Sequence, residues 1–292
     1  SGEGALNLDI DGVSFNNIAG IATGTGDRTS SSLTGSLNSY VPSIVSIENS
    51  FINHYRGYFF NPSAYSDGDF CLRLQGTTSA TISGNTFSDC TIGVSFLASD
   101  WYSSGATAIA HEQIGSDNVV IDGNTFNGAS GYNIMAWPDS DADLTVITNN
   151  VMTCNTCLHV RYMDDSSVNP MISGNIFNGG SFGVYTDDTE SVDIENNVFN
   201  NQENIAIRAS GGDIDAIGNT INDAGFYAIY ANSLEKPTEV VETVVAGVNS
   251  PQADDGVSFI TWQTDTCPYS SFYYIYGYLD CTSPDVTTVL AA

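Results

Sequence analysis

The sequence predicts an all-β fold, a parallel β-helix in which short strands wind into stacked coils. Two observations predict it: a six-residue motif recurs along the chain, and turn-forming residues are abundant where helix formers are scarce. Self-similarity at a fixed period is typical of stacked repeats. The bias toward Asn, Asp, Ser, Thr and Gly favours strands joined by tight turns over helices. The clearest copies of the motif are ISGNTF (82–87), IDGNTF (121–126), ISGNIF (172–177) and IENNVF (194–199).

The spacing of the copies sets the size of one coil. We take the fourth motif position as the reference position, and the intervals between successive copies are then 36, 36, 39, 26, 25, 22 and 22 residues. A period of 22 to 25 residues with two or three short alternating strands fits a parallel β-helix. The residues at the reference position are Val13, Asn49, Asn85, Asn124, Asn150, Asn175, Asn197 and Asn219.

Stacking should place equivalent positions above one another, at the usual strand spacing of about 4.8 Å. The asparagines at the reference position are predicted to form a buried column, because each amide can donate to one coil and accept from the next. The last motif position is predicted to form an interior column of large apolar side chains. Its members are Phe15, Phe51, Phe87, Phe126, Met152, Phe177, Phe199 and Ile221.

The long early intervals predict corner insertions over residues 19–40, 55–70 and 98–117. In a solenoid such insertions often build the binding face. We expect the β-helix to occupy residues 1–235. The motif is lost after 236, although apolar residues still alternate, which predicts a C-terminal β cap or a small appended β region over 236–292. Because the chain begins directly in a repeat, we expect a fragment of a longer chain or a protomer covered by a neighbour.

The motif copies resemble the repeat of the right-handed parallel β-helix superfamily, the pectin-lyase-like proteins, over about residues 5–235. The resemblance implies that fold. It does not fix a function, because the superfamily contains lyases, hydrolases, epimerases, phage spikes, adhesins and surface-layer proteins. The Asn-Thr-Asp, Gly-His-Gly and Arg-Ile-Lys signatures of its polygalacturonase-like hydrolases do not occur here, nor does the epimerase-type Asp-Pro-His-Asp. The resemblance therefore assigns no catalytic residue.

Composition restricts the compartment and the partners. The chain has 34 acidic and 6 basic residues, a formal net charge of -28. Such a charge repels nucleic acid, so no nucleic-acid partner is expected. No apolar run approaches the roughly 18 residues of a membrane span. Six cysteines in an acidic chain with a single lysine predict an extracellular or cell-surface protein with the disulfides Cys71–Cys90, Cys154–Cys157 and Cys267–Cys281.

Carboxylates are predicted to gather at one corner of the coils. Two Asp pairs follow the second strand of adjacent coils, and stacked carboxylates repel each other. A hard cation such as Ca²⁺ is therefore expected among them; a solvated acidic edge and an acid–base pair for hydrolysis are the alternatives. Arg161 and Arg208 share a repeat position and are expected to form ion pairs with this edge rather than a lyase site. The predicted metal ligands are Asp164, Asp165, Asp187 and Asp188.

Aromatic residues cluster close to the same corner. Aromatic rings beside carboxylates hold neutral sugars through ring stacking and hydroxyl hydrogen bonds, although such rings also cover the roots of loops. The candidates for glycan contact are Trp101, Tyr102, Trp137, Tyr162 and Tyr185.

These observations together predict an extracellular structural or adhesive β-helix domain without catalytic residues. A component of a surface layer, sheath or filament, or an adhesin, fits this description. Its expected partners are copies of itself or glycans. A neutral-polysaccharide hydrolase that uses an Asp pair and a carbohydrate-binding module are the alternatives.

Overall fold

The structure is a computed structural model that describes 15 segments of the chain. The regular structure in these segments is entirely β-strand. They contain no helix long and apolar enough to span a membrane. The described segments are residues 6–18, 21–22, 43–54, 70–75, 77–90, 92–97, 118–137, 145–163, 171–189, 191–210, 213–232, 239–241, 243–245, 260–263 and 289–291.

The strands follow one another in a repeating order of short elements. They are β1 (Leu6–Asp11), β2 (Ser14–Ile18), β3 (Ile21–Ala22), β4 (Ser43–Glu48), β5 (Phe51–His54), β6 (Phe70–Gln75), β7 (Thr77–Ser83), β8 (Thr86–Ser88), β9 (Ile92–Leu97), β10 (Val119–Asp122), β11 (Thr125–Trp137), β12 (Thr145–Thr148) and β13 (Val151–Met163). They continue as β14 (Met171–Ser173), β15 (Ile176–Asn178), β16 (Phe182–Thr189), β17 (Ser191–Glu195), β18 (Val198–Asn200), β19 (Ile205–Ser210), β20 (Asp213–Ile217), β21 (Thr220–Asn222), β22 (Tyr227–Asn232), β23 (Glu239–Val241), β24 (Thr243–Val245), β25 (Ile260–Gln263) and β26 (Val289–Ala291).

Every coil crosses three faces, and the strands of each face pair in parallel. The first face is the nine-stranded sheet β1-β4-β7-β10-β12-β14-β17-β20-β23. The second runs β2-β5-β8-β11-β13-β15-β18-β21-β24-β26. The third runs β3-β6-β9-β11-β13-β16-β19-β22-β25, so the long strands β11 and β13 bend through two faces. This arrangement confirms the predicted β-helix.

A left-handed residue makes the corner between the first and second faces. The residue before the reference position has φ between +49° and +67° in all eight coils. Glycine adopts this region freely and asparagine more readily than other residues, which explains why only these two types occur there. They are Gly12, Asn49, Gly84, Gly123, Asn149, Gly174, Asn196 and Gly218.

The predicted asparagine column is present and buried. The backbone N–H and Nδ2 of Asn85 both donate to Oδ1 of Asn124, at 2.9 and 3.0 Å, and Nδ2 also donates to the Ile47 carbonyl at 2.7 Å. The pattern recurs at Asn124, Asn150, Asn175 and Asn197. Each amide is thus bonded to the coil on either side, as buried polar groups require.

Large apolar side chains fill the interior beside this column. The rings of Phe87 and Phe126 stack at 4.8 Å with planes 9° apart, and those of Phe177 and Phe199 at 4.7 Å and 14°. Gly183 makes room for one such ring, because a Cβ there would lie 2.5 Å from Cδ1 of Phe199. The interior column is therefore confirmed from residue 87 onward.

The second coil differs from its prediction by one residue. Ser50, not Asn49, occupies the reference position, and its N–H donates to Oδ1 of Asn85 at 2.9 Å. Ile52 is buried in register with Phe87, whereas Phe51 points outward and is partly exposed. The reason is that Asn49 takes the left-handed corner, with φ of 49°. Asparagine suits both positions, so the motif alone could not separate them.

Two of the three predicted disulfides are confirmed. Cys71–Cys90 links β6 to the turn after β8, and Cys154–Cys157 lies within β13. Cys267 and Cys281 lie outside the described residues. Chain pairing continues past residue 236, where β23, β24 and β25 add to the three faces in parallel. A C-terminal cap stays a prediction.

Candidate functional site

The outward side chains of the coils are the surfaces that a ligand can reach, and each face has its own chemistry. The strands alternate buried and accessible positions, so β10 buries Val119 and Ile121 and exposes Val120 and Asp122 in part. The first face is acidic, the second is uncharged and the third carries a stack of aromatic and basic side chains.

The outward carboxylates of the first face form what we call the acidic face. Asp122 is held by the next coil, since its Oδ1 accepts hydrogen bonds from Thr148 Oγ1 at 2.7 Å and Asn149 Nδ2 at 2.8 Å. Asp193 and Asp215 lie in register on adjacent coils. Sequence analysis missed this face because it examined residues after the second strand, although alternation in DLTVIT-like segments carries the signal. The described members are Asp9, Asp11, Glu48, Asp122, Asp193, Glu195 and Asp215.

The predicted metal ligands are only partly within the described residues. Asp187 and Asp188 lie inside β16 rather than after it, and Asp187 is in register with Arg161 and Ser210. The expected stacking of two Asp pairs is therefore wrong for Asp187, which lies beside a basic residue. The side chain of Asp188 and all of Asp164 and Asp165 fall outside the described part of the chain. Within that part no group of three His, Cys, Asp or Glu could hold a metal ion, and the calcium site stays a prediction.

The two arginines do not occupy equivalent positions. Arg161 pairs with Asp187, whereas Arg208 pairs with Tyr185 on one side and Tyr230 on the other. Their equal distance from the reference position misled the prediction, because β13 and β16 differ in the length of the bend between the second and third faces.

A stack of rings and a guanidinium covers the outer side of the third face. The rings of His159 and Tyr185 lie 4.5 Å apart and within 6° of parallel, and Cζ of Arg208 lies 4.7 Å from the centroid of Tyr185. Both faces of Tyr185 are therefore covered. It can offer a sugar its hydroxyl and its edge, but it has no open ring face for stacking.

Further rings extend this aromatic stack on its flank. Tyr132 lies 5.4 Å from His159, and Cζ of Arg208 lies 5.5 Å from the ring of Phe182. A guanidinium over two rings is a favourable cation–π contact. Tyr227 and Tyr230 follow on the next coil at 5.6 Å, and burial, with a smaller effect of Tyr230, raises the pKa of Tyr227. These contacts stabilise the outer side of the third face.

The other predicted glycan contacts give no geometry. Trp101 and Tyr102 lie outside the described residues. Trp137 ends β11 and Tyr162 lies near the end of β13, and the side chains of both fall outside the described part of the structure.

The second face presents two straight columns of outward side chains without a single charge, and we call it the uncharged face. Val151 and Ile176 lie near its centre and are each 37% exposed. The sequence signal was present, because these are the fifth and seventh residues counted from the start of each motif. The first column is Phe51, Thr86, Thr125, Val151, Ile176, Val198 and Thr220, and the second is Asn53, Ser88, Asn127, Thr153, Asn178, Asn200 and Asn222.

Hydrogen bonds fix part of the second column. Nδ2 of Asn200 donates to Oδ1 of Asn178 at 3.0 Å, and Nδ2 of Asn222 donates to Oδ1 of Asn200 at 2.9 Å. Three amides therefore share one orientation at the spacing of the coils.

Comparison with known proteins gives one match. Residues 102–234 match the family model described as NosD, periplasmic copper-binding protein. No curated protein and no solved structure matches the chain. The two disulfides and this match indicate an oxidising compartment, extracellular or periplasmic. The parallel coils with their three faces, together with the NosD match, place the chain in the right-handed parallel β-helix superfamily.

Proposed function

We propose that the chain is a non-catalytic scaffold domain at the cell surface, with a structural or adhesive role as in a surface layer, sheath, filament or adhesin. The observation that supports this most is the buried asparagine column, which bonds six successive coils to one another without interruption. A domain joined in this way resists bending and separation along its axis.

Three kinds of contact join each pair of neighbouring coils. They are the parallel strand hydrogen bonds of the faces, the amide hydrogen bonds of the asparagine column and the stacked interior rings. A hydrogen bond contributes about 1 kcal/mol net and a buried aromatic side chain about 3 kcal/mol. Seven intervals at about 4.8 Å give a stiff element about 34 Å long. Such an element suits a role in holding parts at a fixed distance.

The surfaces of this element support contact with partners. The acidic face is hydrated and repels anions. The uncharged face carries no carboxylate that a partner must desolvate. The aromatic stack offers edges and hydroxyls rather than open rings, which favours its packing role over ring stacking with sugars.

Copper binding, as in the name of the matched family, does not fit the described residues. Copper sites use thiolate, thioether or imidazole ligands. Cys154 and Cys157 form a disulfide, and Met135 and His159, which are in register on adjacent coils, provide two donors only. No third His, Cys, Asp or Glu joins them within the described part of the chain. We therefore derive no role for copper in this protein.

A panel of neutral and acidic polysaccharides tests the scaffold role. We expect the purified protein to release no sugar from any of them, because no acid–base pair has been brought together among the described residues. Sugar release that disappears in the Asp187→Asn variant would replace the scaffold role by the hydrolase alternative. Binding without release that disappears in Tyr185→Phe, which removes only the accessible hydroxyl, would support a carbohydrate-binding module instead.

A further inference from the structure

We propose that the uncharged face docks against the same face of a second copy of this chain, in a two-fold symmetric, sheet-on-sheet dimer. This inference rests on the proposed scaffold role and names the partner and the surface through which the scaffold would assemble. A two-fold interface needs a surface complementary to itself, and a flat sheet with two straight columns meets this requirement.

Charge selects this face over the rest of the described surface. The chain carries a net charge of -28, yet two columns of seven outward positions, spanning seven coils, hold no charged residue. The neighbouring acidic face carries seven carboxylates over a similar length. Two copies that meet through their acidic faces would bury like charges against each other, which opposes association. Contact through the uncharged face keeps those charges at the greatest separation.

The side chains at the centre of this face are suited to burial. Val151 and Ile176 are adjacent in register and 37% exposed, and Val198 continues the apolar row on the next coil. Beside them the amides of Asn178, Asn200 and Asn222 are already held in one orientation. Ordered amide rows beside dry apolar rows are the features by which β-sheets pack face to face. Preorganised side chains also lose little entropy on binding.

The net charge predicts a distinctive salt dependence. Outside the contact, two strongly acidic copies repel each other over the Debye length, which falls from about 10 Å at 0.1 M salt to about 3 Å at 1 M. Monovalent salt should therefore strengthen self-association. An interface made of ion pairs would show the opposite response, and one bridged by calcium would need calcium.

Sedimentation velocity of the full chain in chelator, from 0.05 to about 1 M NaCl, measures the dimer dissociation constant. We expect the wild-type protein to dimerise more tightly as salt rises. Val151→Asp places a charge at the centre of the uncharged face and should weaken the dimer about tenfold or more, because like charges then face each other. Val146→Asp is the matched control, since the same change falls on the first face, five residues away in the same coil. It should leave the dimer unchanged.

A second variant keeps the test independent of folding. Asn200→Asp is nearly isosteric, adds a charge to the amide row and should also weaken the dimer, while thermal unfolding followed by circular dichroism verifies that each variant is folded. Three results would overturn the proposal: a wild-type monomer at every salt concentration, a dimer unaffected by both Val151→Asp and Asn200→Asp, or equal loss in Val146→Asp. A monomer that is retained on an insoluble polysaccharide through Val151 would assign the face to a glycan. None of these results bears on sugar release, so failure here is distinguishable from failure of the scaffold role.

Discussion

The left-handed corner allows a sharp test of how neighbouring coils fit together. Gly174 and Gly123 have nearly the same backbone, with φ of +67° and +65°. A Cβ on Gly123 would meet nothing within 4 Å, whereas a Cβ on Gly174 would lie 2.8 Å from Oδ1 of Asn149 in the preceding coil. The Gly→Ala change therefore adds the same backbone strain at both sites and a side-chain clash at only one.

The expected costs follow from these contacts. An L-residue in the left-handed region costs about 1–2 kcal/mol, which is the whole effect expected for Gly123→Ala. Gly174→Ala must also displace the Asn149 amide, whose Nδ2 donates to Asp122 at 2.8 Å. Loss of a hydrogen bond to a charged group costs about 1.5–3 kcal/mol, and the exposure of Asn149 reduces this to about 1 kcal/mol. We therefore expect Gly174→Ala to cost about 1 kcal/mol more than Gly123→Ala.

Urea unfolding of the two variants measures the difference in the free energy of unfolding. A double variant isolates the clash: Asn149→Gly removes the obstructing amide and keeps a residue that tolerates the left-handed corner. In the Asn149→Gly background, Gly174→Ala should cost no more than Gly123→Ala does in the wild type. Equal costs for the two single variants would refute the reasoning, because the Asn149 side chain would then move aside without loss.

Four further predictions concern the core, the cysteines, the acidic corner and high pH. Phe177→Ala should cost about 3–5 kcal/mol in the free energy of unfolding, whereas Ile176→Ala, an outward neighbour, should cost about 0.5 kcal/mol; similar losses would contradict the interior column. Peptide mapping without reduction should find Cys267–Cys281 beside the two disulfides described above, and free thiols there would contradict it. Chelator should lower the melting temperature, because Ca²⁺ at about 100-fold excess over its dissociation constant contributes about 2.7 kcal/mol; Asp165→Asn with Asp187→Asn should remove the response, and an equal effect of NaCl at matched ionic strength would exclude a calcium site. The pKa of Tyr227 is raised above 10.0 in the folded state, so its contribution to stability is complete below pH 10.0 and is lost as pH rises through the folded pKa; Tyr227→Phe should reduce this loss, as urea unfolding between pH 9 and 11.5 (roughly the range of Tyr ionisation) would measure.

The sequence was sufficient for the fold because its motif repeats the requirements of one coil. Asparagine at the reference position and a large apolar residue two positions later are each needed for stacking, so their recurrence revealed both columns. The second coil was misplaced by one residue because Asn49 satisfies the corner and resembles the column. A serine at the reference position, Ser50, carries no such signal, although its hydroxyl accepts from the Val13 N–H at 3.1 Å.

The surfaces were harder to predict than the core. Interior positions admit few residue types, whereas outward positions depend on how far each strand bends before the third face. Counting from the reference position therefore aligned Arg161 with Arg208, while the strand register aligns Arg161 with Asp187 and Arg208 with Tyr185. The uncharged face escaped notice because its signal is the absence of charge at alternate positions. Most predicted glycan and metal contacts lie in insertions or strand ends whose side chains are not described.

The asparagine column makes the late coils interchangeable modules. Asn175 meets Asn197 through the same three hydrogen bonds by which Asn197 meets Asn219 and the Ile172 carbonyl, and both intervals are 22 residues. A coil removed or duplicated between these residues would leave each remaining junction with a partner of the same kind. Gene duplication could therefore lengthen or shorten this protein one coil at a time, and the reach of the domain would change in steps of one strand spacing while its chemistry stayed the same.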